Sequence, residues 1–181
     1  VELDLQLSDG MVDLVAERFD MALRISTLAD SSLRARRLCQ VRILLVGAPS
    51  YFQQHGRPEH PRDLARHRGF QYSYTRGGNT WRFRHPRHGE FAQTVPRQLQ
   101  ANNAEVFDAA LQAGLGLALQ PEFLVWEQLR DGTLQTALDD WKVEPLALNI
   151  ITPPGLHRPA RVQALIDYLA LRLEKEPWAV A

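Results

Sequence analysis

The sequence predicts an α/β protein built on parallel sheet, and three observations carry that expectation. Residues 3–25 read as strand, short helix, strand, the spacing of a crossover unit. Asn102-Asn103-Ala104-Glu105 opens a helix that is followed at once by the apolar run Leu115 to Gln120. The composition, 45% hydrophobic and 23% charged over 181 residues, is that of a globular chain with a core to bury. It is not that of a disordered tail, a collagen-like fibre or a coiled coil.

In the opening unit, Leu3, Leu5 and Leu7 alternate with Asp4 and Gln6, the period of a half-buried strand. Ser8, Asp9 and Gly10 supply turn and cap residues. Met11, Leu14, Val15 and Phe19 then fall on one helical face, and residues 21–25 form the second strand. Residues 38–47 read as one strand, broken by Pro49. Short helices are expected at 51–55 and from Pro61, which suits a first helical turn. Residues 70–74 and 81–84 are aromatic strands around a Gly77-Gly78 loop, and 91–99 is a strand that Pro96 places at a bulge or an edge.

Beyond it, Asn102 and Glu105 have the spacing of a capping box; Val106, Ala109, Ala110 and Ala113 mark the apolar face, and Gly114 ends the helix. A strand through Gln120 leads to a helix that Pro121 opens and Asp131-Gly132 closes. Strands at 133–138 and 146–152 follow, and Val162, Leu165, Ile166, Leu169 and Leu173 define a long final helix.

Charge is balanced overall, 21 bases against 21 acids, so no global field draws the molecule to nucleic acid or membrane. Locally it is uneven: Arg34 to Arg97 holds 13 Arg against three acids, a surplus of 10, read as a solvated surface more than a phosphate-binding face. No apolar run reaches the roughly 18 residues needed to span a bilayer. The single Cys39 excludes an internal disulfide and suits a reducing, cytoplasmic setting. The chain lacks an initiator Met and reads straight into a strand, so a fragment of a longer product is expected.

Patterns for covalent, nucleotide or metal chemistry are weak. Glycine-rich phosphate loops, nucleophile elbows and zinc-protease signatures do not occur, and Gly114-x-Gly116 ends a helix instead of starting one. His85-x-x-His88 has Pro86 between its members and no third ligand nearby, so no metal and no cofactor is assigned and an enzyme is not expected. What remains is polar groups at the ends of elements. Ser8 and Asp9 follow a strand and precede a helix, where free N–H groups would receive an anion or simply be capped. Asn102 and Asn103 repeat that arrangement. Arg24, between Leu23 and Ile25, needs a carboxylate partner, from the protein or from an acidic ligand, unless it points outward. Together these groups suit a small organic acid.

In this order the elements resemble the effector-binding regulatory domain of LysR-type transcriptional regulators. The phrases VELDLQLSDGMVDLVAERFDMALRI, SSLRARRL, LVGAPSYFQQHGRPEHPRDLARH, TWRF, NNAEVFDAALQAGLGLALQPEFL and PARVQALIDYL carry the resemblance, which covers most of the chain. It implies two Rossmann-like subdomains of the periplasmic-binding-protein type joined by two crossover strands. Residues 1–47 and 150–181 would form the first and 48–149 the second. A small metabolite would bind in the cleft between them. By motif, Ser8, Arg24, Asn102 and Asn103 match cleft positions, Asp9 accompanies Ser8, and Tyr72 and Ser73 add a wall. The resemblance also implies a homodimer of this domain and a tetramer at full length. DNA would be bound only through an N-terminal winged helix-turn-helix, which these residues do not contain, and no membrane partner is implied. The family's first strand and helix of the regulatory domain are absent too. A solute-binding protein of a transporter, or an enzyme on the same fold, remains an alternative at this point.

Overall fold

A computed structural model of the chain describes residues 2–10, 12–26, 34–75, 77–154 and 159–179. Met11 of the expected first helix and residues 31–33 of the SSLRARRL phrase lie outside them. The chain divides into two compact units, residues 1–41 with 145–181, and residues 42–144. The sequence reading put the divisions slightly later, after residues 47 and 149.

The first unit carries an antiparallel sheet. β1 (Ala22–Ser26) and β2 (Arg34–Val41) flank β10 (Leu146–Thr152), which pairs with both. Helix α4 (Ala160–Leu173) lays Val162 and Ile166 on Ile150 of β10, with Met21, Leu38 and Leu169 packed around them. This unit corrects the opening expectation. Residues 3–7 join no sheet, and Leu3, Leu5 and Leu7 are 67%, 79% and 88% exposed. A strand is stable only when a neighbour takes its backbone hydrogen bonds, and alternation alone supplies none. The expected helix over 11–19 is reduced to turns over residues 14–18, opened by Asp13, whose Oδ1 accepts from the N–H groups of Val15 and Ala16. Among the described residues of this unit the strand pairs are antiparallel, not parallel as expected.

The second unit holds the parallel strands. Its five-stranded sheet runs β7-β4-β8-β3-β9, with β3 at Ile43–Gly47, β4 at Gly69–Tyr72, β7 at Arg97–Ala101, β8 at Leu117–Pro121 and β9 at Gln135–Ala137. β4 is parallel to β7 and to β8, whereas β3 runs antiparallel to β8 and β9. β5 (Thr80–His85) and β6 (Gly89–Thr94) form a separate hairpin. Residues 91–99 are thus two strands, divided at Val95-Pro96, and the Pro96 carbonyl accepts from Gly69 N–H.

Adjacent residues of β3 and β8 point to opposite faces, so each strand serves two cores. Leu45 and Leu117 join Tyr51 and Phe52 of α1 (Pro49–His55) with Leu64, Trp81, Phe83, Val95 and Trp141. Val46 and Ala118 join Phe70 with Phe107 and Leu111 of α2 (Phe107–Gln112) and Val125 of α3 (Glu122–Asp131). Burying each large apolar side chain contributes roughly 1.5–3 kcal/mol. The apolar face of α2 differs from the expected one: Phe107 and Leu111 are buried while Val106 is 57% exposed. A larger side chain one position along outcompetes a stripe of alanines for the core. Gly114 ends α2 at φ +67°, as the sequence implied. A Cβ on Gly116 would lie 2.7 Å from the Arg68 carbonyl, so the chain passes there only without a side chain.

A buried polar chain ties α1 to the start of β4. Arg68 N–H donates to the Tyr51 hydroxyl oxygen, and the same hydroxyl shares a hydrogen bond of 3.2 Å with Nδ1 of His67, which is 4% exposed. Burial holds the His67 pKa below its ordinary value, with Arg66 and His55 pressing the same way. Because the unfolded chain then takes up the proton at higher pH than the folded one, stability is full above the unfolded value near 6.5 and falls as pH drops below it. The slope that His67 can add is at most about 1.4 kcal/mol per pH unit. Thermal melts from pH 7.5 to 5.0 should show a steeper loss for the native protein than for His67→Gln; parallel curves would assign the loss to other groups.

Candidate functional site

Four of the seven sequence-nominated residues come together at the carboxyl ends of two parallel strands. In the register of β4 and β7, Tyr72 lies opposite Ala101, so Ser73 and Asn102-Asn103 leave the sheet side by side. Ser73 N–H donates to the Ala101 carbonyl at 2.8 Å, and Gln100 Nε2 donates to Ser73 Oγ at 3.4 Å. Tyr72 and Tyr74 meet edge to face with ring centroids 5.6 Å apart. Open α/β sheets bind ligands at such carboxyl ends.

Asn103, not Asn102, is the cap that follows. Its Oδ1 accepts from Glu105 N–H at 2.8 Å and starts a short 3-10 turn over Ala104–Val106 that runs into α2. The expected reciprocal capping box is not formed. Asn102 is exposed and Asn103 half-buried.

The other three nominated residues lie in the first unit. Ser8 Oγ accepts from Gly10 N–H at 3.2 Å, forming a tight turn, with Asp9 exposed inside it. No helix begins there; the helical turn starts at Asp13 instead. Arg24 is half-buried on β1 and donates from Nη2 to the Val12 carbonyl at 3.2 Å. None of the ion pairs among the described residues involves Arg24, whose side chain there donates to a backbone carbonyl.

Asn149 was not nominated by the sequence. It lies opposite Arg24 in the β1–β10 register, is 1% exposed, and donates from Nδ2 to the Ala147 carbonyl. Its Oδ1 is buried without a hydrogen-bond partner among the described residues. The available signal was a lone Asn inside the apolar strand LALNIIT.

The histidines do other work. His85 Nδ1 accepts from the N–H groups of Arg87 and His88, and the His60, His85 and His88 rings surround Trp141. No group of three or more His, Cys, Asp or Glu among the described residues is arranged to hold a metal ion. Burial pushes the Cys39 thiol up, away from the reactive thiolate, more than Arg37 draws it down. Among the described residues no helix is long and apolar enough to cross a membrane.

One unit with polar loops at the carboxyl ends of parallel strands, and another with a strand arginine that has no acidic partner among the described residues, have the features of a ligand-binding domain. Comparison with known proteins specifies the class. The family described as LysR substrate binding domain matches residues 1–174, and the chain belongs to that family. It is 31% identical over 181 residues to the HTH-type transcriptional regulator PtxR of Pseudomonas aeruginosa, covering 100% of this chain and 58% of that protein. It is also 31% identical over 173 residues to the probable HTH-type transcriptional regulator LtrA of Klebsiella pneumoniae, covering 94% of this chain and 56% of that one. The chain thus spans little more than half the length of these relatives.

Solved structures agree. The regulatory domain of CrgA, a LysR-type transcriptional regulator from Neisseria meningitidis, superposes with a TM-score of 0.78 at 25% identity, over 90% of this chain and 79% of that one. Full-length AphB, a Vibrio cholerae virulence activator, gives 0.79 at 27% identity, over 93% and 57%. The fold is therefore that of LysR-type regulatory domains, two α/β subdomains of the periplasmic-binding-protein type, and effector binding is the family's role.

Proposed function

We propose that this domain senses a small organic acid, and that Tyr72, Ser73, Asn102 and Asn103 form the part of the second unit that holds it. The observation that carries this reading is the β4–β7 register, which sets Ser73 beside Asn102-Asn103 at the carboxyl ends of parallel strands. From the first unit, Ser8, Asp9 and Arg24 complete the effector contacts by family correspondence. Arg24 supplies the charge: it is half-buried, has no acidic partner among the described residues, and carries the fork geometry that suits a carboxylate. Asn149 beside it is an additional contact, its Oδ1 suited to a hydroxyl or amino group on the same acid.

In this reading the domain is a binding module and not an enzyme, acts in the cytoplasm within a longer regulator, and reaches DNA through a separate helix-turn-helix. It pairs as a homodimer, and as a tetramer at full length. Leu23 and Ile25, 48% and 36% exposed beside the open edge of β1, support pairing. The test is calorimetric titration of a panel of mono- and dicarboxylates. Charge-assisted contacts are worth about 1.5–3 kcal/mol, so Arg24→Ala should weaken the acid that binds about ten-fold or more while the thermal melt stays close to native. Unchanged affinity in Arg24→Ala would remove the acid reading.

A further inference from the structure

Immediately after Asn103, the chain forms one wall of a cavity of ≈ 330 Å³ that lies wholly within the second unit. Its walls come from the 3-10 turn, α2, β8 and α3. Gln120 of β8 lines it and is 2% exposed. Gln120 Nε2 donates to the Ala104 carbonyl at 2.9 Å. A carbonyl only accepts, so this bond fixes which end of the amide is nitrogen. It leaves Oε1 as a buried acceptor, and Oε1 has no hydrogen-bond partner among the described residues. A buried acceptor left unmet is costly and is tolerated where a ligand supplies the donor.

The remaining walls have the same polarity. Both Asp108 carboxylate oxygens accept from Gln112 Nε2, at 2.9 and 3.0 Å, and Oδ1 also accepts from Gln128 Nε2 at 3.1 Å. None of the ion pairs among the described residues includes Asp108 or Glu105, and neither Lys nor Arg lines the cavity. Gln120 and Gln128 each direct an amide N–H, to the Ala104 carbonyl and the Asp108 carboxylate respectively, and the charged side chains that line the cavity, Glu105 and Asp108, are both acidic. Phe123 and Leu124 add an apolar side. An anion would meet two carboxylates there; a protonated amine would find an acceptor, a counter-charge and room for a short alkyl chain, with an aromatic ring nearby.

We propose that this cavity is a second ligand site, one for a small primary ammonium, whose N–H groups donate to Gln120 Oε1 and to the Asp108 carboxylate. It does not depend on the organic-acid reading, because its charge preference is opposite and its residues are different. The experiment is an NMR titration of the protein with n-butylammonium, tetramethylammonium and butyrate, following the Gln120 side-chain amide and the backbone of Asp108. Saturable shifts are expected with n-butylammonium, binding about ten-fold or more weaker for tetramethylammonium, which has charge but no N–H donor, and no saturation with butyrate. Gln120→Leu should lower n-butylammonium affinity about ten-fold, and Asp108→Asn should do the same without touching the buried strand. Equal binding of the two cations, no saturation with n-butylammonium, or native affinity in Asp108→Asn would overturn the proposal. So would Gln120 shifts that appear with protein concentration alone, which would assign the cavity to contact with a second copy.

Discussion

Arg42→Ala is expected to destabilise the domain by about 3 kcal/mol, the cost of stranding a buried charge. Arg42 Nε donates to Glu122 Oε2 at 2.6 Å and Nη2 donates to Oε1, a two-pronged pair. The Glu122 side chain is only 5% exposed although that of Arg42 is 54% exposed. Glu122 also begins α3, and its N–H donates to the Arg42 carbonyl, so both backbones are tied at the same point. Removing Arg42 leaves a buried carboxylate with the helix start as its main remaining compensation. Arg42→Lys should recover part of the loss, since a point charge replaces one prong and not both. Urea denaturation of the three proteins measures this; a loss under about 0.5 kcal/mol in Arg42→Ala would place the pair among surface ion pairs of little worth.

Phe107→Ala should cost more, about 3–5 kcal/mol, and should also disturb the candidate site. Phe107 is 1% exposed, packs on Phe70 with ring centroids 5.8 Å apart, and stands four residues from Asn103. It anchors the short α2 that the Asn103 cap begins. Because Phe70 belongs to β4, two residues before Tyr72, one side chain connects both halves of the polar cluster. Denaturant unfolding gives the stability loss, and titration of whichever acid the native protein binds gives the functional one. A normal affinity in a measurably destabilised Phe107→Ala would mean that the cluster is held independently of this core.

What was legible in the sequence was local. The closing helix, β10, and the glycines after α2 and α3 follow from spacing and from backbone conformations that glycine adopts freely, and Gly114 and Gly132 do sit at φ +67° and +81°. What was not legible depends on partners distant in sequence. Residues 38–47 read as one strand because nothing in an apolar run announces a change of sheet, yet β2 and β3 part at Arg42 to join different units. Leu3, Leu5 and Leu7 alternate correctly but find no neighbouring strand among the described residues. Ser8-Asp9 was read as a helix start, and the helix is the part that fails to form. Tyr72-Ser73 and Asn102-Asn103 are far apart in the sequence; the asparagines were nominated as a polar helix start and by family correspondence, Tyr72-Ser73 by family correspondence alone. The parallel β4–β7 pairing is the physical reason they meet. Gln120 and Asn149 escaped notice because a buried, unmet oxygen is a property of packing and not of residue order.

In the proposed function an acidic effector is held at the carboxyl ends of β4 and β7. NMR titration with the tightest-binding carboxylate of the panel tests it most directly, reading the backbone amides of Ser73, Asn102 and Asn103 together with the Asn side-chain amides. Saturable shifts are expected at these positions with a common dissociation constant, matching the calorimetric value and weakened in Arg24→Ala. A carboxylate that binds saturably while residues 72–73 and 102–103 remain unperturbed would contradict it.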